Sequence, residues 1–305
     1  MKSSNTPTLN PAPAAKSFRR RFAGFRPGSF HQSSGQDRRR LLLLMLPGAV
    51  FFSAFFLLPM LQLFVIGGNG KLGWAAYAAI VTNHNYFNSL LATLGVAAAT
   101  TATTLVISGL SGVFLQRHDF FGKSALVSMM TLPLAFPGVV IGFMVIMLAG
   151  RQGLIGNLTQ LLGGERLVFA YSLAGLFMGY VYFSIPRTIL TVMAAAEKLD
   201  PRLEEAARSL GASPWRVVFD VILPALKPAF ISAGAICFAT AVGAFGTAFT
   251  LATRIDVLPM VIYTEFTLSA NIAMAAALSF ALGAFAWLIL ALARSASGST
   301  VAAAG

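Results

Sequence analysis

Charge is what this sequence has least of. Of its 305 residues only 10% are Asp, Glu, Lys or Arg, while 57% are hydrophobic. A soluble domain carries about 25% charged residues, so this chain lacks the polar surface to cover a water-soluble globule. Acidic residues are scarcer still, 10 against 22 basic ones. The single cysteine, Cys237, lies in an apolar run, which excludes an intrachain disulfide and leaves the redox compartment unread. The three histidines, His31, His84 and His118, are too scattered for a metal site. The first apolar run exceeds a signal-peptide core and ends in no small-x-small cleavage site, so no secretory leader is expected.

Long apolar runs are what the sequence has instead. A membrane-crossing helix needs about 20 mostly apolar residues, because the hydrocarbon core is about 30 Å thick. Six runs qualify, at about 41–66, 88–115, 124–149, 167–193, 229–253 and 271–293. They do not alternate as barrel strands must. The expected fold is therefore all-α, an integral membrane protein of six transmembrane helices. Residues 1–40 form a basic tail, rich in Ser, Pro, Ala, Gly and Arg, expected to be disordered with an interfacial segment around 18–25. Residues 295–305 form a second short tail. The outer connection 67–87, with Trp74 and Tyr77, is expected as an interfacial turn. Of the two shorter ones, 150–166 and 254–270, the latter has room for a re-entrant or surface helix.

Nine of the 22 basic residues fall within residues 1–40. A nucleic-acid arm would have that charge, but no aromatic-basic fold follows it. With the N-terminus inside, the inner segments hold eighteen Lys and Arg residues; the outer ones hold Lys71, Arg151, Arg166 and Arg254. This asymmetry sets both termini in the cytoplasm. Arg187 is counted here with the inner loop, so that no ionisable residue stands in the middle of a span. Coupling by an intramembrane proton or ion relay is thereby disfavoured.

Residues 194–228 form the longest charged interruption. Asp200 suits an N-cap with Pro201 in the first helical position, where its missing N–H costs nothing. Glu204 and Glu205 stand at the positive end of the helix dipole. Gly211 stops that helix in a left-handed conformation, and Ser213-Pro214 opens a second one. Pro224 and Pro228 are expected to punctuate the return to the membrane. Ala206 and Ala207 are small enough for the helix to lie against a partner's groove, with Glu205 as a charged anchor.

Glu205-Ala206-Ala207, three residues, Gly211, nine residues, then Val221-Ile222-Leu223-Pro224 closely resembles the cytoplasmic loop of binding-protein-dependent ABC transporter permeases. Val221 for the usual isoleucine is the one departure. Thr131 to Gly138, with Pro133 and Pro137, resembles the proline-punctuated helix of the same superfamily, and Ile185-Pro186-Arg187 its approach to the loop. The resemblance implies a type I importer: two permeases, two ATPase subunits beneath and a periplasmic solute-binding protein outside, in a bacterial inner membrane. It implies that the loop, through Glu205, Ala206, Ala207, Gly211, Leu223 and Pro224, docks on the ATPase, and that a distinct homologue is the favoured second permease. It implies no catalytic residue, metal or cofactor in this chain, ATP and Mg²⁺ belonging to the partner. Consistently, Gly122-Lys123-Ser124 lacks the glycine a P-loop needs five residues before its final one, position 117 being Arg.

A solute path needs bends and polar groups shielded from lipid. Pro133 and Pro137 in the third span, Tyr180 and Ser184 in the fourth, and Gly243, Gly246, Thr247 and Thr250 in the fifth qualify. The last four share a face, which also suits helix packing by small residues. Around Gly243 to Gly246 and Val257 to Met260 the chain resembles the polyamine, ferric iron, phosphonate and sulfate branch, which implies a polyamine first, then ferric iron or an organophosphonate. An acidic residue that some members carry near Ala244 is missing here. The alternatives are an ion-coupled secondary carrier, which would need polar relays, and a membrane-embedded enzyme, which would need a nucleophile–base or metal constellation.

Overall fold

A computed structural model describes residues 35–251 and 256–297. The expectations for the N-terminal tail up to residue 34, for Arg254 and for the last tail residues, 298–305, lie outside the described residues. Every regular element among the described residues is helical. Six helical stretches are long and apolar enough to cross a membrane.

The chain divides into residues 1–59 and residues 60–305. In the first unit, α1 (Gly35–Phe52) runs into a π turn, Ser53–Leu57. Side chains from 43 to 59 are exposed, and Phe51 and Phe52 stack on Phe55 and Phe56 one turn later. Such a surface suits lipid or a second apolar subunit.

The rest follows in order: α2 (Leu58–Gly68), α3 (Ala75–Thr82), α4 (His84–Arg117), α5 (Lys123–Thr131), α6 (Gly138–Ala149), α7 (Leu154–Leu161), α8 (Leu173–Glu197), α9 (Pro201–Ser209), α10 (Pro214–Val217), α11 (Leu223–Val242), α12 (Phe245–Leu251), α13 (Leu258–Thr267) and α14 (Ile272–Ser297). The 34-residue α4 is the spine of the second unit, with α8 and α11 packed along it. Its buried stripe, Ser89, Thr93, Ala97, Thr100, Thr104, Ser108 and Gly112, recurs at three- and four-residue intervals. Small residues at that spacing let helices approach closely, as lipid-embedded packing requires. At Gly112 a β-carbon would stand 2.9 Å from Val192 Cγ1.

Two spans are broken rather than continuous. In the third, Pro133 and Pro137 each remove a backbone donor, and Phe136, ahead of a proline, is extended (ψ 134°). The stretch expected at 124–149 is thus α5, a 3₁₀ turn at Leu132–Ala135, and α6. The membrane-length run here is Gly138–Leu161. In the fifth, α11 stops at Val242 and α12 starts at Phe245.

The prolines after the charged loop behave differently from expectation. Pro224 and Pro228 lie inside helix, and the run Pro214–Val242 is helical throughout. A π turn at Val218–Ile222, closed by Leu223 N–H donating to the Val218 carbonyl, widens the helix just ahead of Pro224. The same device, a π turn followed by Leu-Pro, recurs at Ser53–Leu57 and Pro59. A widened turn makes room for the proline ring that would clash in a regular helix. The connections at 67–87, 150–166 and 254–270 carry helices of their own, α3, α7 and α13, where a turn was expected at 67–87.

Candidate coupling surface and translocation path

The charged loop is built as its residues dictate. The Asp200 carboxylate accepts from Arg202 N–H at 3.0 Å, and Ser213 Oγ from Arg216 N–H at 3.4 Å, so both short helices are capped. Gly211 has φ +83°, and around it Ala212 N–H donates to the Ala207 carbonyl and Gly211 N–H to that of Arg208. This closure satisfies the last carbonyls of α9 and needs a left-handed residue where glycine alone is unstrained.

The loop has two faces. Ala207, with Ala212 and Leu199, packs on a small core of Ala196, Val217, Ile222 and Leu226. Ala207 therefore faces inward, away from any partner, which the sequence reading did not distinguish. Outward stand Glu205, Ala206, Gly211, Leu223 and Pro224, all exposed, together with apolar residues that the sequence reading passed over. Leu203 is 55% exposed, Leu210 89% and Trp215 73%, with Trp215 and Phe219 stacked at 6.4 Å. Their signal in the sequence was large apolar residues in a segment otherwise charged enough to be solvated.

The loop is tied to the bundle by an ion pair. Arg117, the last residue of α4, donates to the carboxylate of Glu204 in the first turn of α9, both side chains largely buried. Beside it Lys123 donates to Asp119 at 2.8 Å, and that hydrogen bond holds the Asp119 carboxyl below its ordinary range.

The broken spans meet. Thr247 Oγ1 donates to the Gly138 carbonyl at 2.9 Å, and Thr250 Oγ1 lies 3.3 Å from that of Val139 and 2.9 Å from that of Gly246. Tyr180 donates to the Ala244 carbonyl at 2.6 Å, inside the second break. These carbonyls stand at the starts of α6 and α12, where they also accept within their own helices, so the hydroxyls add a second bond that ties neighbouring helices together. A β-carbon on Gly142 would stand 2.6 Å from Thr250 Cβ. Gly246, Thr247 and Thr250 thus knit α12 to α6, while Pro133 and Ser184 are buried and Pro137 and Gly243 exposed. Elsewhere, Thr93 Oγ1 accepts the N–H of Leu258 at 2.8 Å, capping α13 from another helix, and Tyr86 donates to Glu265.

A family model described as binding-protein-dependent transport system inner membrane component matches residues 106–297, which contain the capped loop, both breaks and the Arg117–Glu204 pair. The chain belongs to this family. Among permeases with this inner-membrane role, the molybdenum transport system permease protein ModB of Escherichia coli (strain K12) is 36% identical over 154 residues, covering 49% of this chain and 66% of that protein. The match thus spans just under two thirds of that relative's length. ModB of Haemophilus influenzae is 32% identical over 176 residues, 56% of this chain and 76% of the relative. The putative 2-aminoethylphosphonate transport system permease protein PhnU of Salmonella typhimurium is 29% identical over 243 residues, covering 78% and 85%. A chain from the crystal structure of a bacterial alginate ABC transporter, in complex with an alginate pentasaccharide-bound periplasmic protein, shares the fold. It has a TM-score of 0.71 over 87% of this chain and 97% of that one, at 18% identity.

One charged residue needs its place corrected. Arg187 was counted with the inner loop, but α8 continues ten residues past it to Glu197. It stands within a membrane-length helix.

Proposed function

We propose that this permease forms the membrane path of an ATP-driven importer and that the loop 198–224 docks on a separate ATPase through Glu205, Ala206, Leu210 and Trp215. The observation that carries this is a pair of capped short helices with an exposed apolar face, fixed to the end of α4 by Arg117–Glu204. An apolar face of that kind is costly in water unless a partner covers it. ATP and Mg²⁺ are bound by the partner, and its closure moves α9 and, through the ion pair, α4. The loop and both termini then lie in the cytoplasm, with a solute-binding protein on the opposite side. A distinct homologous permease completes the core, as the family resemblance favours.

For the solute, the relatives named for molybdenum and 2-aminoethylphosphonate support an oxyanion over the polyamine or ferric iron first expected. The test is gentle detergent extraction of the tagged chain from its own host, with mass spectrometry of what co-purifies. Recovery of a P-loop ATPase, lost on Gly211→Trp, is the expected result. An intact chain without an ATPase, under conditions that preserve other transporters, returns the reading to an ion-coupled carrier.

A further inference from the structure

Arg187, an exposed residue, lies well inside a described span, as does Lys227 in the run Pro214–Val242. At 1.5 Å per residue Arg187 lies roughly 21 Å along α8 from Leu173 and about 15 Å from Glu197. A cation at such depth faces protein or water, because lipid contact is expensive. Arginines near a helix end escape that cost by snorkelling to the nearer interface. Arg187 does the opposite: its guanidinium lies over the ring of Phe183, 5.7 Å from the centroid. Phe183 is one turn back toward Leu173, so the charge points away from the loop end and deeper into the span. Among the described residues no carboxylate pairs with it, the two ion pairs being Arg117–Glu204 and Lys123–Asp119.

The surroundings are suited to an anion. Arg187 lines a narrow cavity of about 30 Å³ between α8 and α11, shared with Ser184, Thr188, Thr191, Cys237 and Thr240. Ser184, Arg187, Thr188 and Thr191 recur at helical spacing, so they present one polar face. Thr188, Thr191 and Thr240 donate to carbonyls of their own helices. Ser184 is buried and lines the same cavity one turn from Arg187. A guanidinium fork with a hydroxyl one turn away matches the oxygens of phosphonate or a tetrahedral metal oxyanion. A polyamine or a bare metal cation would meet an unneutralised positive charge there.

We propose that Arg187, with Ser184, forms an anion-selective constriction in the inner half of the path, passing a small oxyanion and rejecting cations. The proposal rests on the importer reading for its purpose. Its chemistry is testable without transport, because the only cysteine of the chain lines the same cavity. The full chain in liposomes is treated with a sulfonate-bearing and a trimethylammonium-bearing methanethiosulfonate, each rate normalised to that with a free thiol in solution. The expected result is a preference of Cys237 for the anionic reagent of about tenfold or more, as one nearby charge warrants. Arg187→Gln abolishes the preference and Arg187→Lys keeps it. Any effect of Arg187 on the thiolate fraction acts on both reagents and cancels in the ratio. Equal rates in the wild type, an unchanged ratio in Arg187→Gln, or failure of both reagents to reach Cys237 in the ATP-cycling transporter would each overturn it.

Uptake gives the second measurement, with molybdate, 2-aminoethylphosphonate and putrescine as probes at equal membrane abundance. Arg187→Gln is expected to lower uptake of whichever anion is carried by about tenfold or more, with Arg187→Lys within about threefold of wild type. Uptake of putrescine by the wild type overturns the selectivity. Loss of the co-purifying ATPase from the wild-type chain, with the thiol preference intact, would count against the importer reading alone.

Discussion

Arg117, at the end of the longest helix, is paired with Glu204, in the first turn of the exposed short helix. They are 87 positions apart in sequence, and their pairing makes the loop and the spine one lever. Arg117 Nε is buried without a hydrogen-bond partner among the described residues, and Glu204 is the guanidinium's ion-pair partner, so loss of Glu204 strands a charge. Arg117→Ala and Glu204→Ala are each expected to cut uptake severely in a protein that still inserts. A double-mutant cycle on thermal denaturation in detergent is expected to give a coupling of about 1–3 kcal/mol. The swap Arg117→Glu with Glu204→Arg should recover part of the uptake. Additive single effects would refute the lever.

The exposed face of the loop is separable from its folding. Leu210→Asp and Trp215→Asp are expected to release the ATPase while leaving membrane abundance unchanged, because neither side chain supports the small core beneath. Ala207→Asp should instead lower abundance, since Ala207 faces that core. Quantitative blotting of membranes beside affinity pull-down distinguishes the two. Retention of the ATPase by Trp215→Asp would move the docking surface elsewhere.

Gly211 is constrained by conformation, not by space: a β-carbon there meets nothing within 4 Å, but φ is +83°. Gly211→Ala should cost about 1–2 kcal/mol locally, and Gly211→Asn less, because Asn tolerates the left-handed region. Uptake is expected in the order Gly, Asn, Ala; equal uptake by all three would show that the turn angle is not used.

Thr247 gives the Gly138 carbonyl a second donor beside the break in the third span. Thr247→Val keeps the volume and removes the second donor to the Gly138 carbonyl, an expected loss of about 0.5–1.5 kcal/mol in detergent stability. Thr247→Ser should cost much less. A Thr247→Val protein as stable as the wild type would mean that the contact between α12 and α6 does not depend on this bond.

Close packing at Gly142 has an internal control. Gly142→Ala pushes a β-carbon into Thr250 and should lower the denaturation midpoint, with overpacking costing about 1–3 kcal/mol. Gly95→Ala, where nothing lies within 4 Å, should be neutral or slightly stabilising, as alanine is the better helix former. Equal midpoints for the two would argue that α12 yields to α6.

Much of this protein is decided locally. Six spans are legible because the length of an apolar run is set by bilayer thickness, and the loop helices because Asp200, Ser213 and Gly211 act on backbone groups two to five residues away. The break in the third span was foreshadowed by its prolines, since proline acts through a missing donor, whereas the break in the fifth, expected as one run 229–253, was not. What the sequence left open depends on residues that meet only when helices pack. Ala207 and Ala206 are neighbours of one type, yet one faces the core and the other solvent. Thr247 reads equally well as pore lining or as packing until Gly138 arrives from 109 positions away. Arg187 looked like part of a loop because positive charge near an apolar boundary usually is one. Only the continuation of α8 and the Phe183 ring beneath its guanidinium turn that charge into the span, because the side chain follows its helix rather than the nearest water.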